Sequence, residues 1–273
     1  MHLFFDNILI FGVKMLRKFI GKFISIFIFS LLVLISASAA FEYPKVRNDA
    51  WSVGEKLTFA VKYGPIRAGT TVMQVEDEVD WNGRKALRIK STTHSADWFF
   101  YRVRDTIVSY VDKEGLFCWR YEKYQREGNY RNNEVTTFDH ESRKAVRNDD
   151  GNKSAPQVVQ AFVKDVLGAL YYVRTQSFTV GDILKIPVHD GRRSYTMEVE
   201  VQKRERVRVP AGEFNCYVIE PKLQSDGIFV KKGRLLVWMT DDKRHIPIRV
   251  RTAIPVGSVV ANLESMLGVK ESE

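Results

Sequence analysis

The stretch that decides the fold is residues 195–221, YTMEVEVQKRERVRVPAGEFNCYVIEP. Tyr195, Met197, Val199 and Val201 alternate with Thr196, Glu198, Glu200 and Gln202, which gives a strand one apolar and one wet face. Pro210-Ala211-Gly212 breaks the chain, and Phe214 to Pro221 returns. A further strand runs over Ile228 to Thr240, and Asp241-Asp242-Lys243 makes a polar turn. Ile246, Ile248, Val250, Thr252 and Ile254 then alternate with Pro247, Arg249, Arg251 and Ala253, and Pro255-Val256-Gly257 leads into Val259 to Leu263. This is an antiparallel meander with one buried face.

The same period recurs toward the N-terminus. Leu57, Phe59, Val61 and Tyr63 form one strand; Ile66 to Val79 forms a second, with Gly69 at a bend or bulge. Asn82-Gly83 is the strongest hairpin signal in the chain and returns into Arg84 to Thr93. Arg102 to Val111 and Leu116 to Arg126 read as strands, the latter with Phe117, Trp119 and Tyr121 on one face. Tyr130 to Phe138 and Arg143 to Val146 follow. One helix is expected over Pro156 to Arg174, capped by Ser154 and carrying the stripe Val159, Phe162, Val163, Val166, Leu167, Leu170 and Tyr171, with Lys164 and Asp165 off the stripe. Ile183 to Val188 and the Asp190-Gly191 turn lead back into the meander. Hairpins dominate, so the fold class is mainly β: a strongly curved antiparallel sheet, or partly open β-barrel, with one main helix and the aromatic run Trp98-Phe99-Phe100-Tyr101 covering or filling it.

The chain has 273 residues and a formal charge of +9. Residues 1–40 read as a signal peptide, with Met15 as an alternative start. Arg17, Lys18 and Lys22 form its basic region, Phe23 to Ile35 its apolar run, and Ala37-Ser38-Ala39 the small residues before cleavage. The apolar run is shorter than the ~20 residues of a spanning helix, so no transmembrane span is expected in residues 41–273; an uncleaved anchor is the alternative. No cysteine follows the run, which argues against a lipoprotein signal. The expected location is the periplasm of a Gram-negative bacterium. Residues 41–273 then form a single β-rich domain, large enough to bury its own core. Its excess charge is spread along strands, which fits either a solvated sheet face or an anionic polymer or headgroup surface. Export argues against nucleic acid as a partner.

No catalytic signature is present. His140 and His189 stand beside Asp139 and Asp190, but in turns, where aspartate is ordinary, and no nucleophile motif accompanies them. His94 and His245 are isolated, and no spacing brings metal ligands together; Glu76, Asp77, Glu78 and Asp80 lack the EF-hand pattern. No cofactor and no metal are expected. Cys118 and Cys216 either form a disulfide or stay as two buried thiols. The aromatic surplus is the most suggestive feature. Trp98, Phe99, Phe100, Tyr101, Phe117, Trp119, Tyr121, Tyr171, Tyr172 and Trp238 either line a cavity for a lipid acyl chain or another apolar ligand, or simply pack the core. The expectation is a non-enzymatic envelope protein that binds a hydrophobic or amphipathic ligand. The alternatives are a structural module docking an envelope protein, and a hydrolase with an unrecognised site.

Several segments resemble an exported family, domain-of-unknown-function family 3108. They are Gly54-Glu55-Lys56-Leu57 with Ala68-Gly69, the helical Asp165 to Arg174, Val209 to Phe214, Val237 to Asp242 with Arg244-His245-Ile246-Pro247, and Pro255 to Ser258. Gly168 stands where that pattern leads one to expect serine. The resemblance implies fold and compartment and carries no activity. The architecture is also similar to that of lipoprotein carriers of the LolA and LolB type, whose curved sheet and helices enclose an acyl-chain cavity.

Overall fold

The computed structural model describes residues 41–99, 101–222, 234–253 and 257–271. The chain divides into a unit of residues 1–42 and a unit of residues 43–273, and the second carries all the elements below. The expected signal segment, Phe100, the Ile228–Gly233 part of one expected strand, and Ile254 to Val256 lie outside the described residues.

Nine strands precede the helix: β1 (Lys56–Tyr63), β2 (Ile66–Trp81), β3 (Arg84–Ser95), β4 (Arg104–Asp112), β5 (Cys118–Glu127), β6 (Tyr130–Asp139), β7 (Lys144–Asp149), β8 (Asn152–Lys153) and β9 (Gln157–Val158). After α1 (Val166–Val173) come β10 (Ile183–His189), β11 (Ser194–Val209), β12 (Gly212–Lys222), β13 (Leu235–Thr240), β14 (Pro247–Ala253) and β15 (Ser258–Leu267). All pair antiparallel in one sheet, in the order β10 to β15, then β1 to β8, with β9 on β7. The first strand and the last therefore meet in mid-sheet, Phe59 opposite Leu263, while the sheet's edges come from mid-sequence. The sheet curls around α1 without closing: the strand ladder does not join β10 to β7 or β8.

Local chemistry explains the turns. Asn82 and Gly83 both hold positive φ (51° and 82°), the pairing a tight two-residue hairpin requires. The register slips between Val61 and Lys62, leaving Ala68 as an extra residue beside Gly69. A side chain on Gly69 would stand 2.2 Å from the His94 carbonyl oxygen, so only glycine lets β2 and β3 approach there.

The helix differs from expectation. It begins at Val166, and Asp165 is its cap, accepting from the Leu167 and Gly168 amides. Residues 157–164 share the apolar period, yet their backbone groups are engaged elsewhere. Val159 N–H donates to Arg143 O (2.9 Å), Lys164 N–H to Pro187 O (2.9 Å), and Val163 O accepts from Cys118 N–H (2.9 Å). Phe162 has φ +56°, which no right-handed helix residue adopts. Sheet pairing thus overrides the stripe, and Lys164 and Asp165 are buried.

Candidate functional site

Residues directly opposed across the ladder point to the same side of the sheet. One such row is Leu57, Met73, Ser91, Ile107, Lys123, Glu134 and Asp149, from β1 to β7. The next is Val75, Ile89, Ser109, Tyr121, Thr136 and Arg147. Helix α1 lies against this inner face: Leu167 and Tyr171 pack with Leu57, Met73, Val75 and Ile89, and Ala169 and Val173 pack with Val199, Val201, Val237 and Met239. The inner face therefore grades from apolar on β1–β3 to charged on β5–β7.

At the charged end Glu134 is fully buried. Lys123 Nζ lies 3.4 Å from its carboxylate, Arg147 Nη1 3.7 Å and Arg192 Nε 4.0 Å, and neither oxygen has a hydrogen-bond partner among the described residues. Arg147 is held by Asp149 at 2.6 Å. The β10–β11 turn presses on this group: a side chain on Gly191, whose φ is +96°, would stand 1.8 Å from Glu134 Oε1. A desolvated carboxylate with nearby cations but no directed donors is a costly arrangement that a bound polar group could relieve.

The start of α1 makes a second polar knot. The Ser109 hydroxyl donates to Asp165, whose other oxygen takes the Leu167 and Gly168 amides at 2.8 and 2.9 Å. Burial raises the Asp165 pKa against the pull of those bonds, and burial with the nearby Asp165 charge raises that of the Cys118 thiol. A side chain on Gly168 would come within 2.9 Å of Asp165 Oδ2 and 3.4 Å of Ser109 Oγ, so glycine keeps this knot compact. Lys164 donates to Phe162 O (3.1 Å) and sits 4.3 Å from the Tyr172 ring centre. Burial pushes its pKa down to about 8.

The histidines are core groups. His140 Nε2 donates to Cys118 O (2.7 Å), and His189 Nδ1 accepts from Gly191 N–H (3.0 Å). Burial lowers both pKa values to about 4, so both rings are neutral at pH 7. Their remaining nitrogens have no hydrogen-bond partner among the described residues. Asp139 and Asp190 instead bind turn amides, of Ser142 (3.0 Å) and of Arg192 and Arg193 (2.9 and 3.1 Å). His245 stacks on Phe178 at 4.4 Å, and no group of three metal-ligating side chains occurs among the described residues.

The ten aromatic candidates do not form one lining. Tyr171 is in the core, edge-on to Trp51 at 5.0 Å, and Trp51 Nε1 donates to its carbonyl (2.9 Å). Trp238 packs with Val207, Val209 and Cys216, and its indole donates to Glu205. Phe117 and Trp119 join Tyr43, Phe162 and His140, whereas Tyr121 packs with Cys118 and Phe138. A register slip opposite Trp119 separates them, which corrects the single-face expectation. Tyr172 is half-buried beside Lys164. Trp98 and Tyr101 are exposed on the β3–β4 hairpin tip and so are no plug; Phe99 is half-buried edge-on to Trp98, and Phe100 lies outside the described residues. Both thiols are free and buried in different clusters, so the disulfide alternative does not hold. Two grooves, of about 840 Å³ beside Lys45, Trp51 and Lys113 and of about 590 Å³ over Val135, Thr137 and Val146, are lined by none of the ten. Sequence alone does not bring Lys123, Glu134 and Arg147 together, an apolar-facing register for the first two being the one signal, and Lys164, expected off the apolar stripe, is buried. No described helix is long and apolar enough to cross a membrane, which says nothing of strands.

Among solved structures, the chain is similar to a β-barrel-like protein of domain of unknown function DUF1849 from Brucella abortus, at 10% identity and a TM-score of 0.51, over 81% of this chain and 100% of that one. It also matches a candidate exported protein with a YmcC-like fold from Bacteroides fragilis, at 13% identity and TM-score 0.36 over 84% and 100%. A candidate lipoprotein from Parabacteroides distasonis matches at 10% identity and TM-score 0.32, over 82% and 97%. The first likeness supports the β-barrel-like fold. None of the curated proteins matches the sequence. The profile of the family described as protein of unknown function, DUF3108, matches residues 58–264, and the chain belongs to that family.

Proposed function

We propose that this chain is a non-enzymatic exported protein of the cell envelope, periplasmic in a Gram-negative bacterium, that holds an amphipathic ligand in the part of its concave face that α1 leaves uncovered. The observation that carries this is a mismatch of lengths. An eight-residue helix spans about 12 Å, whereas the 16-residue strands β2 and β11 each extend about 50 Å. Beyond the helix the inner face is half-buried and mixed in character. Ile107, Val250 and Ala261 supply apolar wall beside Leu170 and Tyr172 of α1, Thr71 and Thr93 hydroxyls lie 2.9 Å apart, and half-buried Lys123, next to fully buried Glu134, supplies charge. An apolar chain with a head group bearing both donors and acceptors matches that lining. Micromolar affinity needs about 8 kcal/mol, hence more than about 330 Å² of apolar burial once ordering costs are counted. His140 and His189 each bond a backbone group, and their neighbours Asp139 and Asp190 bind turn amides rather than the rings, which supports the non-enzymatic part of the reading.

Native mass spectrometry of protein taken gently from its own envelope tests this. The wild type should carry an adduct of lipid mass, and Ser91→Trp, which fills the uncovered face, should lose it while keeping its circular dichroism spectrum. Absence of any adduct, or equal loading of Ser91→Trp, sinks the reading. A second reading rests on β10: its Ile183 end has no outer partner among the described strands, and Ile183 is exposed, so an envelope protein could add a strand there. Crosslinking from position 183 in intact envelopes would yield one protein adduct if so.

A further inference from the structure

Three neighbouring hairpin tips, β1–β2, β3–β4 and β5–β6, form one continuous rim of the sheet. Backbone bonds stitch them: Ala96 N–H donates to Ala68 O (2.7 Å), Gly128 N–H donates to Arg102 O (2.8 Å), and Val103 bridges Glu127. Tyr101 packs over Gly128, where a side chain would stand 3.0 Å from its ring. This rim carries Trp98 at 66% exposure, Tyr130 at 50%, Ile66 at 46% and Tyr101 at 44%. Scattered single exposures are ordinary, but four large apolar side chains on adjoining tips are a patch.

The charge around them is one-sided. Residues 62–67, 96–104 and 126–131 hold six cations (Lys62, Arg67, Arg102, Arg104, Arg126 and Arg131) against two acids, Asp97 and Glu127. Arg67 is engaged by Glu264 at 2.6 Å, and Arg126 by Asn133 at 2.6 Å. The Arg102 and Arg104 side chains are exposed and make no ion pair or hydrogen bond among the described residues. Indole and phenol rings bury an apolar body while keeping a polar tip wet, and arginine binds phosphate through a planar fork. Convex tips bearing that mixture fit a soft, negatively charged surface better than the concave, shape-matched pocket of a protein partner.

We propose that this rim docks on an anionic phospholipid bilayer, with Ile66, Trp98, Tyr101 and Tyr130 entering the headgroup layer and Arg102 and Arg104 meeting lipid phosphates. No acyl chain need occupy the concave face for this to hold. Docking should be screened by salt, because the attraction of exposed cations falls off within a Debye length.

Sedimentation with vesicles tests it, using protein purified after export. Wild type should bind vesicles of phosphatidylglycerol and phosphatidylethanolamine and release from them in high salt, and should bind pure phosphatidylcholine far less. Arg102→Gln with Arg104→Gln should weaken binding to the anionic vesicles by about 25-fold, at about fivefold per arginine. Trp98→Ala with Tyr130→Ala should also weaken it, whereas Lys185→Gln with Lys203→Gln, far from the rim, should not. Ser91→Trp should dock like wild type, which separates this proposal from the ligand reading. No vesicle binding, equal binding to neutral vesicles, or an unchanged Arg102→Gln/Arg104→Gln variant overturns the proposal, as does capture of an envelope protein by the rim without any affinity for vesicles.

Discussion

Two buried carboxylates on this sheet make a direct comparison. Glu55, beside the C-terminal end of α1, receives two guanidinium bonds from fully buried Arg174, at 2.5 and 2.8 Å. Arg174 also donates to Arg244 O (3.1 Å), and its own carbonyl is bonded by His245. Glu134, on the charged end of the inner face, has three cations at 3.4 to 4.0 Å and no hydrogen bond among the described residues. The lesson is that burial alone does not identify a structural pair. The first carboxylate is saturated by its own fold, and the second is left with capacity to spare.

The largest effect should therefore come from Glu55→Ala. Stranding Arg174 should cost roughly 3–5 kcal/mol in a urea titration, while Glu134→Gln should stay within about 1 kcal/mol of wild type. Equal losses would break the comparison. Acid should act next. His140 and His189 have folded pKa values of about 4 against about 6.5 when unfolded, so the folded state favours the neutral rings. Their stabilisation is complete above pH 6.5 and is lost as pH falls toward 4, by about 3 kcal/mol for each ring. Urea midpoints at pH 7 and pH 4.5 measure the loss, and His140→Gln should flatten the slope. Within one ladder row, Leu57→Ala should cost about 3 kcal/mol and Ile107→Ala about 1 kcal/mol, because the first side chain is fully buried and the second only half-buried. Similar losses at both would mean that the half-buried site is packed as tightly as the fully buried one. Gly191→Ala should cost roughly 1–2 kcal/mol, with part of it recovered when Glu134→Ala removes the clashing oxygen.

Strand alternation made most of the sheet legible, from Leu57 and Phe59 to Tyr195, Met197, Val199 and Val201, because a period of two survives any tertiary context. Asn82-Gly83 and the break next to Gly69 were legible for the same local reason. The first half of the expected helix was not, since Val159 and Val163 are buried, and Phe162 half-buried, by pairing and packing with β5 and β7 rather than by helical periodicity. The candidate site was hidden by arithmetic of another kind. Lys123, Glu134 and Arg147 sit on three different strands, and each looks like a solvated residue until the register sets them side by side. Trp98 and Tyr101 were noticed as aromatic but placed inward, because composition does not show that a hairpin tip lies beyond the wall it belongs to.

The pairing of β1 with β15 has a kinetic meaning. Lys56 and Leu267 are partners, so the central seam of the sheet joins the two extremes of the folded unit. Local hairpins can form as the chain grows, but that seam has nearly the highest sequence separation the unit allows, which makes its closure slow. Until Ser258–Leu267 is available, β1 and β14 each present a bare edge, and the unit consists of two unconnected ribbons. A chain with this connectivity commits to its native state only once Ser258–Leu267 is available to pair with β1.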